Sequence, residues 1–376
     1  MCVNWSAETS TIHEDTRASR YLIALLPKRF YYMDRKVNRT LQAVMKVITD
    51  SMNKLETAGC TVGGKNLRGL VASVKGDWKF FGQLLNARVG PSSNEICHIC
   101  RCTKDLQRPY TDITEGALWR SDPRPEDEVW YEKPTVTNLN QWKISLLAPD
   151  IMHTFHLGTG RDIAASVLTI LLRSRVFSGS NVAARMVTAS RLIREWSKKD
   201  STRNVLPSTW SLKKSNLGLK TGSYVHYHGK AWHIATIFGF LVDFLEEQDV
   251  DSDLKMICWT GDYIMSMLHQ ERKDSGLLLS EESKEALRVV GGYHNKLLLS
   301  LHIRYKGFCC YLLFNVRPKF HMQVHMLETA AQTGRNPVVQ ANWMEEDFVR
   351  TVANLAKKTH KRTSHLTTLL RYTAGH

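Results

Sequence analysis

The sequence predicts an α/β chain, and three observations carry that reading. Short apolar, β-branched runs and one amphipathic helix fill the first ninety residues. A proline- and cysteine-bearing stretch over 91–149 has little periodicity, and residues 154–300 then carry apolar side chains three and four apart. At 376 residues the chain exceeds what one hydrophobic core organises, so two or three units are expected. The expected divisions are 1–90, 91–153, 154–307 and 308–376.

Element by element, Tyr21 to Leu26 and Phe30 to Met33 flank Pro27-Lys28-Arg29, which predicts a hairpin. Leu41, Val44, Met45, Ile48, Met52 and Leu55 recur at helical spacing, with Asn38 or Thr40 as cap and Gly59 just past the end. Leu67 to Val74 reads as a buried strand that stops at Gly76-Asp77. Helices are predicted over 163–173, 182–198, 231–248, 254–270 and 280–299. After a strand or buried segment at Phe308 to Phe314, two more helices follow, over 320–332 and 344–359.

Composition narrows the function classes. Hydrophobic residues at 43% and charged residues at 23% exclude a largely disordered chain. The longest apolar stretches, near Val167 to Leu172 and Ile234 to Leu245, fall short of a bilayer span, so no membrane partner is expected. The start lacks the pattern of a secretory signal, so the eight cysteines are read as reduced thiols rather than a disulfide framework. With 51 Lys+Arg against 36 Asp+Glu the net charge is +15, which suits a polyanionic partner. From Phe348 to His376 there is no carboxylate, and Lys357, Lys358, Lys361 and Arg362 are the candidate nucleic-acid contacts.

Candidate chemistry is distributed along the whole chain. Asp77, at a strand end, is placed to hold a divalent metal or, more plainly, to form a turn. Cys97-His98-Ile99-Cys100 has the two-residue gap that lets both thiolates reach one tetrahedral zinc. Asp150-Ile151-Met152-His153 puts Asp150 and His153 on one side of a first helical turn, so these could complete the ligand set, with Cys102 a spare for Asp150. The alternatives are a helix cap for Asp150 and a half-buried structural histidine for His153. Glu346 lies in an acidic first turn, Glu345-Glu346-Asp347, that the helix dipole favours by itself, and it shares a face with Val349 and Ala353. His321 and His325, four apart among apolar neighbours, read as core or site-lining histidines rather than a second metal site. Tyr224-Val225-His226-Tyr227-His228, with Trp232 and His233, could stack on bases or pack a helix start.

The ordered set of Asp77, Cys97-xx-Cys100, Asp150-xx-His153, a long helical stretch and Glu346 resembles the cut-and-paste transposases of the CACTA and Kyakuja-Dileera-Zisupton groups. The matching blocks are Gly76-Asp77-Trp78-Lys79-Phe80, Ile96 to Cys100, Leu147 to His153 with Leu157-Gly158, and Trp343 to Phe348. The resemblance implies a ribonuclease H-like core interrupted by a zinc-stapled loop region and a large helical insertion. It implies catalytic Asp77 and Glu346, Mg or Mn for catalysis, structural Zn on Cys97, Cys100, Asp150 and His153, and DNA as partner in the nucleus, with a homo-oligomer possible. In such a core the first catalytic Asp precedes the hairpin. Residues 1 to 20 offer only Asp15, and Asp34 follows the hairpin, so the expectation is a core cut off at its start with no strand cleavage. The rival expectation is a non-catalytic, zinc-stabilised nucleic-acid-binding protein.

Overall fold

The computed structural model describes residues 2–6, 20–201, 203–360 and 362–374; the side chains of residues 2–6, 20, 21 and 344–347 are outside that description. The chain mixes helix and sheet, with helix dominant, and divides into two compact units. Unit 1 comprises Met1–Pro109, Gly116–Asp150 and Val339–His376, and unit 2 comprises Tyr110–Glu115 and Ile151–Val338. Residues 308–338 therefore group with the helices.

Unit 1 opens with β1 (Cys2–Ser6), antiparallel to β2 (Arg20–Leu25). The hairpin expected around Pro27 takes a different form. Lys28–Phe30 is a single 3-10 turn, and β3 (Met33–Asp34) pairs with β4 (Val37–Asn38) instead of with the preceding run. Helix α1 (Arg39–Thr57) follows, with the Asn38 side chain accepting from Leu41 N–H at 3.1 Å. Its buried face, Leu41 and Met45 with Ile48 and Met52 against it, is the predicted stripe. β5 (Cys60–Val62) and β6 (Lys65–Leu67) form a hairpin around Gly63-Gly64, both at positive φ, the geometry of a two-residue turn that matches strand twist. That hairpin takes Leu67 out of the predicted long strand, leaving β7 as Val74–Gly76, followed by α2 (Trp78–Leu84).

Residues 85–146 hold only short 3-10 turns and isolated bridges among the described residues, as the missing periodicity predicts. Their packing comes instead from Val129, Trp130, Val136 and Leu139, which join Leu41, Phe81, Leu84 and Leu85 in one core. Buried Gln42 fixes the joint. Its Nε2 donates to Leu84 O at 2.6 Å, and its Oε1 accepts from Thr135 N–H at 2.9 Å. β8 (Leu147–Pro149) then pairs parallel with β7, with Gly76 opposite Pro149. Among the described residues the strands form four separate two-stranded pairs.

Unit 2 begins where a π-helical segment, Met152–Gly160, runs into α3 (Arg161–Arg173). Asp162 through Leu172 are all buried, as expected of a helix surrounded by others. α4 (Val182–Lys198), α5 (Ala231–Glu246), α6 (Ser252–Asp274), α7 (Glu281–Ala286), α8 (Gly292–Arg304) and α9 (Pro318–Thr333) complete it. Gly261 on α6 is required for close packing: a Cβ there would stand 2.8 Å from the Phe238 ring on α5. The segment around Phe308 is a 3-10 turn rather than a strand, with Leu312 bridging Tyr224. Among the described residues no helix is long and apolar enough to cross a membrane.

The chain ends in unit 1 with α10 (Trp343–Lys357) and α11 (Ser364–Ala374). Phe348 meets Tyr372 edge-on at 5.6 Å, and Phe30 meets His365 at 5.3 Å.

Candidate metal centre

The backbone of residues 95–103 doubles back on itself, Glu95 bridging Thr103 and Ile96 N–H donating to Cys102 O. This turn brings Cys97, Cys100 and Cys102 together, their Sγ atoms all within 4.8 Å of one another. The edge of a tetrahedral zinc–thiolate site is ~3.8 Å, given Zn–S bonds of ~2.3 Å. All three are buried thiols, and the Ile99 N–H donates to Cys97 Sγ at 3.2 Å. Such a group could hold a metal such as zinc.

Electrostatics agree with that chemistry. The Cys102 thiol is raised far above its ordinary pKa by hydrogen bonding to Cys100 and Cys97, and then by burial. Cys100 is likewise raised: its bond with Cys102 opposes the shift, while its bond with Cys97 and burial drive it. Three thiolates cannot share this space unless a cation offsets their charge. Arg124 supplies part of the positive environment. Its side chain is fully buried, Nε donates to Cys97 O at 2.8 Å, and NH1 stands 3.4 Å from Glu95 and 3.6 Å from Glu128. Burial would raise Glu95, but Arg88 and Arg124 hold its carboxyl below the usual range. His98, between the first two cysteines, packs edge-on against Phe81 and Trp78 at 6.0 and 6.1 Å.

The other predicted residues fall as follows. Asp77 caps α2, its Oδ1 accepting from Phe80 N–H at 2.7 Å, which is the plain reading of a Gly-Asp turn. Asp150 is buried, and its Oδ1 accepts from Asn342 N–H at 3.0 Å. His153 is half-buried in the π-helical segment. Among the described residues neither Asp150 nor His153 belongs to the group of ligating side chains formed with the cysteines, and Cys102, read as the spare, does. The Glu346 side chain lies outside the described residues, as do Asp15 and Lys361; the Glu346 backbone is in the first turn of α10.

Three of these positions share one neighbourhood in unit 1. Because β7 and β8 run parallel with Gly76 opposite Pro149, Asp77 and Asp150 leave the pair at the same end. The Asp150 carboxylate in turn holds Asn342, the N-cap of the helix that carries Glu346.

In the C-terminal part, Lys357, Lys358 and Arg362 are exposed around the α10–α11 connection. Arg29, not singled out in the sequence, adds its charge there by donating to Arg362 O at 3.1 Å. Val225 and Tyr227 of the aromatic cluster are buried, which is the packing reading, and Trp210 Nε1 donates to Tyr227 OH at 3.0 Å.

No family model matches the chain, and no curated protein matches it.

Proposed function

We propose that the protein is a zinc-stabilised DNA-binding protein derived from a cut-and-paste transposase, with a ribonuclease H-like core and the nucleus as its place of work. The observation that supports this reading is the shared neighbourhood of Asp77, Asp150 and the start of α10. It joins residues far apart in the chain, in the order that the resemblance implies. In this reading β7 and β8 are adjacent parallel strands of the core, and the cysteine turn pins the long connection between them. Zinc is held by Cys97, Cys100 and Cys102 of the cysteine turn. This set replaces the Asp150 and His153 ligands expected at first.

Affinity for DNA is carried by phosphate contacts from Lys357, Lys358, Lys361 and Arg362. The test is a titration of duplex DNA at several salt concentrations. Replacing all four by Ala flattens the slope of log affinity against log salt, whereas an unchanged slope assigns those charges to solvent.

The second reading, metal-dependent strand cleavage, draws on the same carboxylates, since two divalent ions need several carboxylate ligands. Against it, Asp77 and Asp150 each commit an oxygen to a backbone N–H. No nicking with Mg or Mn is expected. Robust nicking that disappears in both Asp77→Ala and Glu346→Ala would establish the catalytic reading instead.

A further inference from the structure

Unit 2 gathers an excess of positive charge at the start of α3. The buried Asp162 carboxylate, 2% exposed, accepts from Arg317 Nε at 2.9 Å and from a second nitrogen of the same guanidinium. Arg161 stands at the other oxygen, Nε to Oδ1 3.9 Å, too far for a hydrogen bond, and its Nε is buried with no hydrogen-bond partner. Lys319 acts on the same carboxylate electrostatically and donates to Leu157 O at 3.1 Å. One carboxylate thus faces Arg161, Arg317 and Lys319, so it balances only part of their charge.

Two histidines complete the cluster. Tyr227 is buried and its N–H donates to Arg161 O at 3.2 Å, which ties this segment to the start of α3. Val225 and Tyr227 are buried while His226 between them is half-buried and His228 exposed, and the two histidine rings lie 4.2 Å apart. The His226 ring nitrogen Nδ1 is 3.3 Å from Tyr224 O. Burial holds the His226 pKa down, and the positive charge of His228, Arg161 and Arg317 adds to this. The Arg161 guanidinium is also held down by burial and by Arg317. An arginine remains charged in a protein whatever its surroundings, so a half-buried guanidinium that shares one carboxylate with a second guanidinium is stabilised by an anion at its open side.

We propose that Arg161, Arg317, His226 and His228 form an oxyanion site that takes a phosphate group, either free phosphate or the phosphodiester of a nucleic-acid strand. Guanidinium and imidazolium donors suit phosphate oxygens, and Arg161, Arg317 and His226 are partly open to solvent while His228 is exposed. The site belongs to unit 2, and it does not depend on the role of the basic C-terminal residues of unit 1.

The test uses the whole 376-residue chain with inorganic phosphate in one arm and a short single-stranded oligonucleotide in the other. Thermal melting and calorimetric titration are compared with sodium chloride at equal ionic strength. Wild type is expected to be stabilised by at least one of the two, and Arg161→Gln to bind it about tenfold more weakly. Stabilisation by phosphate alone identifies free phosphate, and stabilisation by the oligonucleotide alone identifies the phosphodiester. His228→Gln, on an exposed residue, is the second variant, and about threefold weakening decides the case if Arg161→Gln does not fold. Equal response to chloride, or affinity unchanged in the folded variants, overturns the proposal.

Discussion

Replacing Cys102 by Ser separates a metal ligand from a merely buried thiol. The change is nearly isosteric, so packing around the fully buried position is kept. If Cys102 only packs, the cost is that of a buried hydroxyl in place of a thiol, about 1–2 kcal/mol. If it is one of four zinc ligands, the loss is larger. Structural zinc contributes about 10–16 kcal/mol to folding in small domains, so one ligand in four carries about 3–4 kcal/mol. For a unit of this size a kcal/mol moves the midpoint by about 2–4 °C, giving a fall of about 10 °C for a ligand against about 3 °C for packing. The buried Trp119 and Trp130 of unit 1 report its melting in the fluorescence signal, which the wild-type comparison separates from the tryptophans of unit 2. Zinc content of the purified protein and the sulfur-to-cobalt absorption of cobalt-substituted protein give the independent readout. Wild type should hold one zinc, Cys102→Ser should hold it more weakly and release it to a chelator sooner, and Asp150→Asn should keep it as wild type does. Zinc-free wild type that melts identically with and without chelator, together with a shift of only about 3 °C in Cys102→Ser, refutes the metal centre.

Other expected outcomes follow from single contacts. Gln42→Ala strands the Leu84 carbonyl and the Thr135 N–H in the core, and urea unfolding should show a loss of about 2–4 kcal/mol. Asp77→Ala removes the α2 cap and should cost about 1 kcal/mol in the same experiment, even though no nicking activity is at stake. In unit 2 burial depresses the His294 pKa to about 4, below the ordinary 6.5. Its neutral form, 2.8 Å from Thr260 Oγ1, therefore stabilises the fold fully above pH 6.5, and that contribution is lost as pH falls toward 4. Chemical unfolding across this window should show His294→Gln with a shallower acid limb, by about 3 kcal/mol at most.

What could be read in advance follows the length of each periodic signal. α1, α3 to α6 and α9 announce themselves through several turns of apolar spacing, and their starts and ends fall close to the expected positions, whereas the single helix expected over 280–299 is α7 and α8 joined by a π-helical turn at Leu287–Gly291. The strands are two to six residues long, and tight turns set the pairing of β3 with β4 and of β5 with β6. Gly63-Gly64 makes a hairpin that shortens the predicted 67–74 strand, and β2 pairs upstream because Lys28–Phe30 folds into a 3-10 turn. The Cys97/Cys100 pair was visible from its spacing. Cys102 was harder to rank, because a one-residue gap places its sulfur only if the chain reverses, as it does between Glu95 and Thr103. His321 reads as a core histidine from its apolar neighbours, and it is fully buried beside Phe320, Met322 and Val324. The Arg161–Asp162–Arg317 cluster had no sequence signal, since its charges lie on segments more than 150 residues apart.

The parallel pairing of β7 with β8 also dictates an order of assembly. The two strands contribute three paired residues each, and bringing them together closes a loop of about seventy residues, at an entropic cost on the order of 4 kcal/mol. So short a ladder does not repay that cost alone. The pair can form only after the intervening segment has shortened its own path, through the cysteine turn and the packing of Trp130 and Val136 on α1. During synthesis, the end of the pair where Asp77 and Asp150 emerge is therefore completed late. It must wait for residue 149 and then for Asn342 to dock on Asp150, long after α1 has left the ribosome.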